Sequence, residues 1–168
     1  MRVSNSITLE AGAAEPITDP GTVTSRQAQN QPRSLLLLVE DNRADVFLIE
    51  QAIEFHQVPL DLVVAEDGEV ALQYFERLGR DEKTPCPAIL LLDLNLPKKS
   101  GTEVLERVRK GSRCKDLPVV ILTSSDSLED RQQAARLGAD RYFRKPPSYH
   151  EFLGIGAVLN EVLKERAH

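Results

Sequence analysis

The chain has little of what marks membrane-spanning, secreted or nucleic-acid-binding proteins. No apolar run approaches the roughly 20 residues that cross a bilayer. Residues 1–33 lack the basic start and apolar centre of a secretory signal. Positive charge is not in excess: 21 Lys and Arg stand against 26 Asp and Glu, a formal net charge of −5, and no basic cluster offers a nucleic-acid footprint. Only two cysteines occur, Cys86 and Cys114, neither in a CxxC, and no His or Cys spacing suggests zinc. They read as reduced thiols of a cytoplasmic protein, without a redox role. Each precedes an expected strand, which would set both at one edge of a sheet, near each other.

What is present suits one soluble domain. The 168 residues can bury one substantial core, and a composition of 41% hydrophobic and 28% charged residues is ordinary. Residues 1–33 are rich in Ser, Thr, Gln, Ala, Gly and Pro and show no periodicity that could bury a face. They are expected to form a disordered or loosely attached leader. Residues 34–168 are expected to form the folded unit.

That unit alternates short apolar runs with helical patterns. Strands are expected at Ser34–Val39, Leu60–Ala65, Ala88–Leu92, Val119–Leu122 and Arg141–Phe143. Helices are expected at Asp45–Phe55, Gly68–Leu78, Thr102–Arg109, Leu128–Leu137 and Tyr149–Arg166, the fourth stopped by Gly138. Five strands alternating with five helices imply an α/β fold, a doubly wound parallel sheet covered on both faces. Right-handed crossovers favour the strand order 2-1-3-4-5.

In such a sheet all strand C-termini share one edge, where α/β folds place ligands. Here those ends carry Glu40-Asp41, Asp93, Thr123-Ser124 and Lys145-Pro146. Two unit charges ~4 Å apart at an effective dielectric near 20 cost about 4 kcal/mol, so neighbouring acids need a cation or a raised pKa. Magnesium suits an all-oxygen set, and manganese is the alternative. Asp41 and Asp93 are candidate direct ligands, Glu40 a ligand through water, and the Asn95 carbonyl a further one. One oxygen of Asp93 would stay free to attack phosphorus, with Lys145 and the Thr123 hydroxyl taking charge from the phosphoryl oxygens. A cis Lys145–Pro146 bond is one way to aim the lysine inward.

With these motifs in place the chain resembles the receiver domain of two-component response regulators. VEDN at 39–42, DLNLPKKSG at 93–101, ILTSSD at 121–126 and RKPP at 144–147 match that family in order and spacing, across residues 34–165. The wording around Asp93 and the longer connection Gly79–Pro87 look most like phytochrome-associated single-domain receivers of bacteria. The resemblance implies a flavodoxin-like fold and a magnesium-dependent switch. Asp93 would be the phosphoacceptor, and Glu40, Asp41, Asp93 and Asn95 the metal site. Thr123 and Lys145 would sense the phosphoryl group, and Tyr142 would be the aromatic switch. Asn95 and Ser125 occupy positions that tune phosphoryl lifetime. Pro147 departs from the usual pattern.

The implied donor is a sensor histidine kinase, with a bacterial phytochrome as a candidate; no nucleic acid and no membrane partner is implied. Output would pass through the face of the fourth helix, fifth strand and fifth helix, which carries Arg131, Arg136, Arg141, Tyr142, Glu151 and Glu161 and can support a homodimer. After the closing helix too few residues remain for an output domain. His56, His150 and His168 read as surface or terminal residues. Two other classes stay open. An aspartyl-nucleophile phosphatase or phosphotransferase would need an acid at 95, where Asn stands. A phosphate-independent scaffold would be expected to have lost one of these groups.

Overall fold

The computed structural model describes residues 32–167; the expected leader up to residue 31 and His168 lie outside the described residues. Arg33, the last residue assigned to that leader, pairs with Asp61 at 2.6 Å and also donates to the Leu60 carbonyl.

The strands are β1 (Ser34–Val39), β2 (Leu60–Ala65), β3 (Ile89–Asp93), β4 (Val119–Thr123) and β5 (Arg141–Arg144). The helices are α1 (Arg43–Phe55), α2 (Gly68–Arg80), α3 (Gly101–Lys110), α4 (Leu128–Arg136), α5 (Tyr149–Phe152) and α6 (Ile155–Arg166). The sheet is parallel with order β2-β1-β3-β4-β5, as expected. The expected closing helix is present in two pieces. At the joint Gly154 and Gly156 donate three residues back, to Glu151 and Leu153, which tightens the turn.

The uniform apolar runs bury both faces of the central strands. Leu36 and Leu38 of β1, Ile89 and Leu91 of β3, and Val120 and Leu122 of β4 pack with Ile49, Phe152, Ile155 and Leu159. Their neighbours Leu37, Val39, Leu90, Leu92, Val119 and Ile121 face the other way, onto Ala71, Phe75, Val104 and Leu105. Period-two alternation thus divides one apolar run between two helical layers.

Side-chain caps fix the helix starts. Asn42, Asp67, Ser100 and Ser127 each accept an amide of the first turn of α1, α2, α3 and α4. Ser100 and Glu103 cap α3 reciprocally. At the end of α4, Gly138 has φ +89, and the amides of Gly138 and Ala139 donate to Ala135 and Ala134. This Schellman stop is the one its sequence position predicts.

Cys86 and Cys114 lie at the sheet edge opposite the acids, as expected, but not as two separate thiols. They form a disulfide with Cα atoms 6.0 Å apart, because the loops entering β3 and β4 run side by side. His56 also differs from expectation. It is half-buried at the end of α1, where it packs on Gly156 of α6. Among the described residues no helix is long and apolar enough to cross a membrane.

Candidate functional site

Strand pairing creates the acidic site. β1 pairs with β3 so that Val39 lies opposite Leu92, and the residues that follow, Glu40 and Asp93, become neighbours. Glu40 is 1% exposed and Asp93 is 4% exposed, while Asp41 is open to solvent. One carboxylate oxygen from each of Glu40, Asp41 and Asp93 lies within 4.8 Å of the other two.

Lys145 reaches this cluster from the end of β5. Its Nζ donates to Glu40 and Asp93 at 2.8 Å each and to Asp45 at 2.7 Å. Its own amide donates to the Thr123 carbonyl at 2.8 Å, which continues the β4–β5 ladder. Ladder register, not a cis bond, therefore aims the lysine. No cis peptide occurs among the described residues, and Lys145–Pro146 is trans, the form an X-Pro bond favours unless its surroundings demand otherwise.

Burial and charge set the protonation of the cluster. Burial pushes the Glu40 carboxyl up to about 7, against the opposing hydrogen bonds from Lys145 and the Asn42 amide. Burial also works against the Lys145 ammonium, yet the hydrogen bonds to Asp45, Asp93 and Glu40 outweigh it and hold its pKa above the ordinary lysine value. A lysine so held is a permanent cation, able to neutralise negative charge that develops beside Asp93.

The hydroxyl arm comes from β4. Thr123 is fully buried, and its Oγ1 accepts the Ser125 amide at 3.1 Å. Ser125 in turn donates to Asp130 at 2.5 Å. The Tyr142 hydroxyl donates to the Ser125 carbonyl at 3.1 Å, and the Arg131 guanidinium lies 4.8 Å from the centre of its ring. Burial and the charge of Asp130 raise the phenol above its ordinary pKa. One loop, residues 124–127, thus joins the hydroxyl to the aromatic.

Asn95 is exposed, and its amide donates to Asp93 Oδ1 at 2.8 Å, so the turn after β3 folds back on the acid. This loop is clasped from outside. Lys98, at φ +65, pairs with Asp67 at 2.7 Å, and the Gly101 amide donates to the Leu94 carbonyl. The Lys98 pair and the Val70 amide hold the Asp67 carboxyl below its ordinary pKa.

The structure brings together all the expected acids, Lys145 and the turn carrying Asn95. It adds Asp45, which the sequence reading treated only as the first residue of a helix. The signal was an acid in the first turn of the helix that follows the acidic strand end. The Lys98–Asp67 clasp was also missed, since 31 residues separate the partners.

Comparison with known proteins decides the family. A model described as the response regulator receiver domain matches residues 36–154. The chain belongs to this family. Among its relatives, response regulator Rcp1 of Synechocystis is 35% identical over 117 residues, 70% of this chain and 80% of the relative. Among solved structures, the phosphorylated cyanobacterial phytochrome response regulator RcpA superposes with a TM-score of 0.72. It is 33% identical, over 81% of this chain and 97% of that one. The Mn(2+)-bound form of Rcp1 has a TM-score of 0.66 and 31% identity, over 77% of this chain and 91% of that one. The receiver is thus similar to phytochrome response regulators in sequence and in fold.

The donor set of the receiver fits a divalent metal. The close carboxylates of Glu40, Asp41 and Asp93 are oxygen ligands only, the preference of a hard cation. Asp41 makes no hydrogen bond or ion pair among the described residues and is free to act as a ligand.

Proposed function

We propose that this receiver is a phosphorylation-dependent switch in which Asp93 accepts a phosphoryl group from a sensor histidine kinase. The observation that carries the reading is the convergence of Glu40, Asp41 and Asp93 within 4.8 Å, with Lys145 hydrogen-bonded to two of them at 2.8 Å. Glu40, Asp41, Asp93 and the Asn95 carbonyl would hold Mg2+ or Mn2+. Such a cation neutralises charge on the carboxylates and on phosphoryl oxygens. The manganese form of Rcp1 and the phosphorylated form of RcpA support both parts by similarity.

In this reading a carboxylate oxygen of Asp93 attacks phosphorus and the donor leaves. Lys145 turns part of its hydrogen bonding from the acids to the new phosphoryl group, and Thr123 gives up the Ser125 amide to bind another oxygen. Because Ser125 also holds Tyr142, that move releases the aromatic and changes the face built by α4, β5 and the closing helix. Some of the charge on this face is used internally: Arg141 pairs with Glu165 at 2.7 Å, and Arg131 stacks on Tyr142. Arg136, Glu151 and Glu161 are exposed and form the part of the face offered to a partner or second copy. The chain would turn over no outside substrate beyond its own phosphorylation and dephosphorylation. A phytochrome-type kinase is the donor favoured by the relatives.

The test uses acetyl phosphate with Mg2+, followed by intact-mass measurement and peptide mapping. One phosphoryl group on Asp93, absent in Asp93→Asn, is the expected result. Labelling that persists in Asp93→Asn would overturn the assignment. Phosphotransfer profiling against candidate kinases then identifies the donor.

A further inference from the structure

The sheet edge opposite the acids carries a chemically separate pair. Cys86 lies between α2 and β3, and Cys114 lies between α3 and β4. Their disulfide spans 28 residues of sequence, and its Cα separation of 6.0 Å is within the ordinary range. Both cysteines are half-buried at the rim of an apolar layer, so small reagents can reach them.

Hydrogen bonds hold the two segments together independently of the sulfurs. Arg113 donates to the carbonyls of Leu78 at 2.6 Å, Asp81 at 3.0 Å and Thr84 at 3.2 Å. The Cys86 segment is anchored further by the Tyr74 hydroxyl, which donates to the Pro85 carbonyl at 2.6 Å, and by Arg166, which donates to the Pro87 carbonyl at 3.3 Å. Cys114 follows Arg113 directly. It sits at φ +59, an uncommon conformation for a residue with a Cβ, in a turn closed by the Leu117 amide on its carbonyl. A strained turn thus sets Cys114 against Cys86, beside the arginine that grips the Cys86 segment. After reduction these contacts keep the thiols adjacent, and closing the bond again is an intramolecular step between placed groups. The cysteines pack only at the rim of one apolar layer and are not among the buried residues of either, so a domain of this size does not need the bond to fold.

We propose that Cys86 and Cys114 form a reversible dithiol–disulfide site that exchanges with low-molecular-weight disulfides and braces the entries of β3 and β4. The thiolate of one cysteine attacks a sulfur of the external disulfide, forms a mixed disulfide and expels one small thiolate. The thiolate of the other attacks the protein sulfur of that mixed disulfide, closes the Cys86–Cys114 bond and expels the second. The cysteines lose two electrons, the external disulfide gains them, and the two cysteine protons end on the two small thiols. The site stands apart from the phosphoacceptor reading and needs no phosphate.

The full chain, reduced with dithiothreitol and freed of it, is incubated over a range of oxidised-to-reduced glutathione ratios. Thiols are counted by maleimide gel shift, and intact mass is read under denaturing conditions. Both thiols should disappear together from the monomer with the loss of two hydrogens, and dithiothreitol should restore them without denaturant. Reduction should lower the Tm by roughly 5–10 °C and speed hydrogen exchange at residues 81–87 and 111–117. Cys86→Ser should retain a stable mixed disulfide on Cys114. Thiols that persist at every ratio, intermolecular crosslinks in place of the internal bond, or a bond that resists dithiothreitol in the folded chain would each overturn the proposal. A Tm and exchange unmoved by reduction would overturn the bracing role.

Discussion

Glu40 and Lys145 show how one residue's surroundings change its chemistry. Burial raises the Glu40 carboxyl to about 7, so the folded chain holds that proton more tightly than the unfolded chain does. The contribution of Glu40 to stability is complete below its ordinary value of 4.5 and is lost as pH rises through about 7. Wild-type stability minus that of Glu40→Gln should therefore fall between about pH 5 and about pH 8, as read by urea unfolding without metal. A difference that stays level over this range would show that Glu40 does not titrate there. That the raised carboxyl is the one on Glu40, and that Asp45 takes part, was not legible from sequence. The first follows from the burial of Glu40, which Lys145 opposes, and the second from β5 delivering Lys145 across the 100 positions that separate it from Asp45.

At the scale of elements, the turn after β3 decides how Asp93 is presented. An added Cβ at Gly101 would collide with the Asp93 carbonyl and would lie 2.7 Å from the Leu94 Cα, so α3 can begin this close to β3 only with glycine. Gly101→Ala should cost about 2–3 kcal/mol in urea unfolding and slow acetyl-phosphate labelling of Asp93. Unchanged stability together with unchanged labelling would show that the turn adapts freely. Here β1, β3 and β4 were readable because a short run of consecutive apolar residues suits a strand buried on both faces. The start of α3 was nearly so: Ser100-Gly101 marked the place, while the reciprocal cap and the close approach needed the fold. The break between α5 and α6 was not readable, since Leu153-Gly154 sits inside an otherwise continuous helical pattern and its backbone remains helical.

For the whole molecule, the two ends of the sheet divide the chemistry. Acids and Lys145 gather at the C-terminal edge, while the disulfide and the arginine clamps lie at the N-terminal edge. A metal that binds only the folded acidic edge stabilises the fold by about 2.7 kcal/mol at a hundredfold excess over Kd. Mn2+ or Mg2+ should therefore raise the Tm by several degrees, an effect that Asp41→Asn should largely remove. An equal shift in that variant would place the metal elsewhere. From its residues alone the chain determined its class and strand order, because apolar runs that alternate with amphipathic patterns admit few parallel arrangements. It also determined which groups share an edge, because every strand of a parallel sheet ends on the same side. Only the tertiary structure decided which of those groups touch: Lys145 on Asp45, Lys98 on Asp67, and Cys86 bonded to Cys114. Such contacts depend on distances of a few ångströms between segments far apart in sequence, and those distances are set by register and packing.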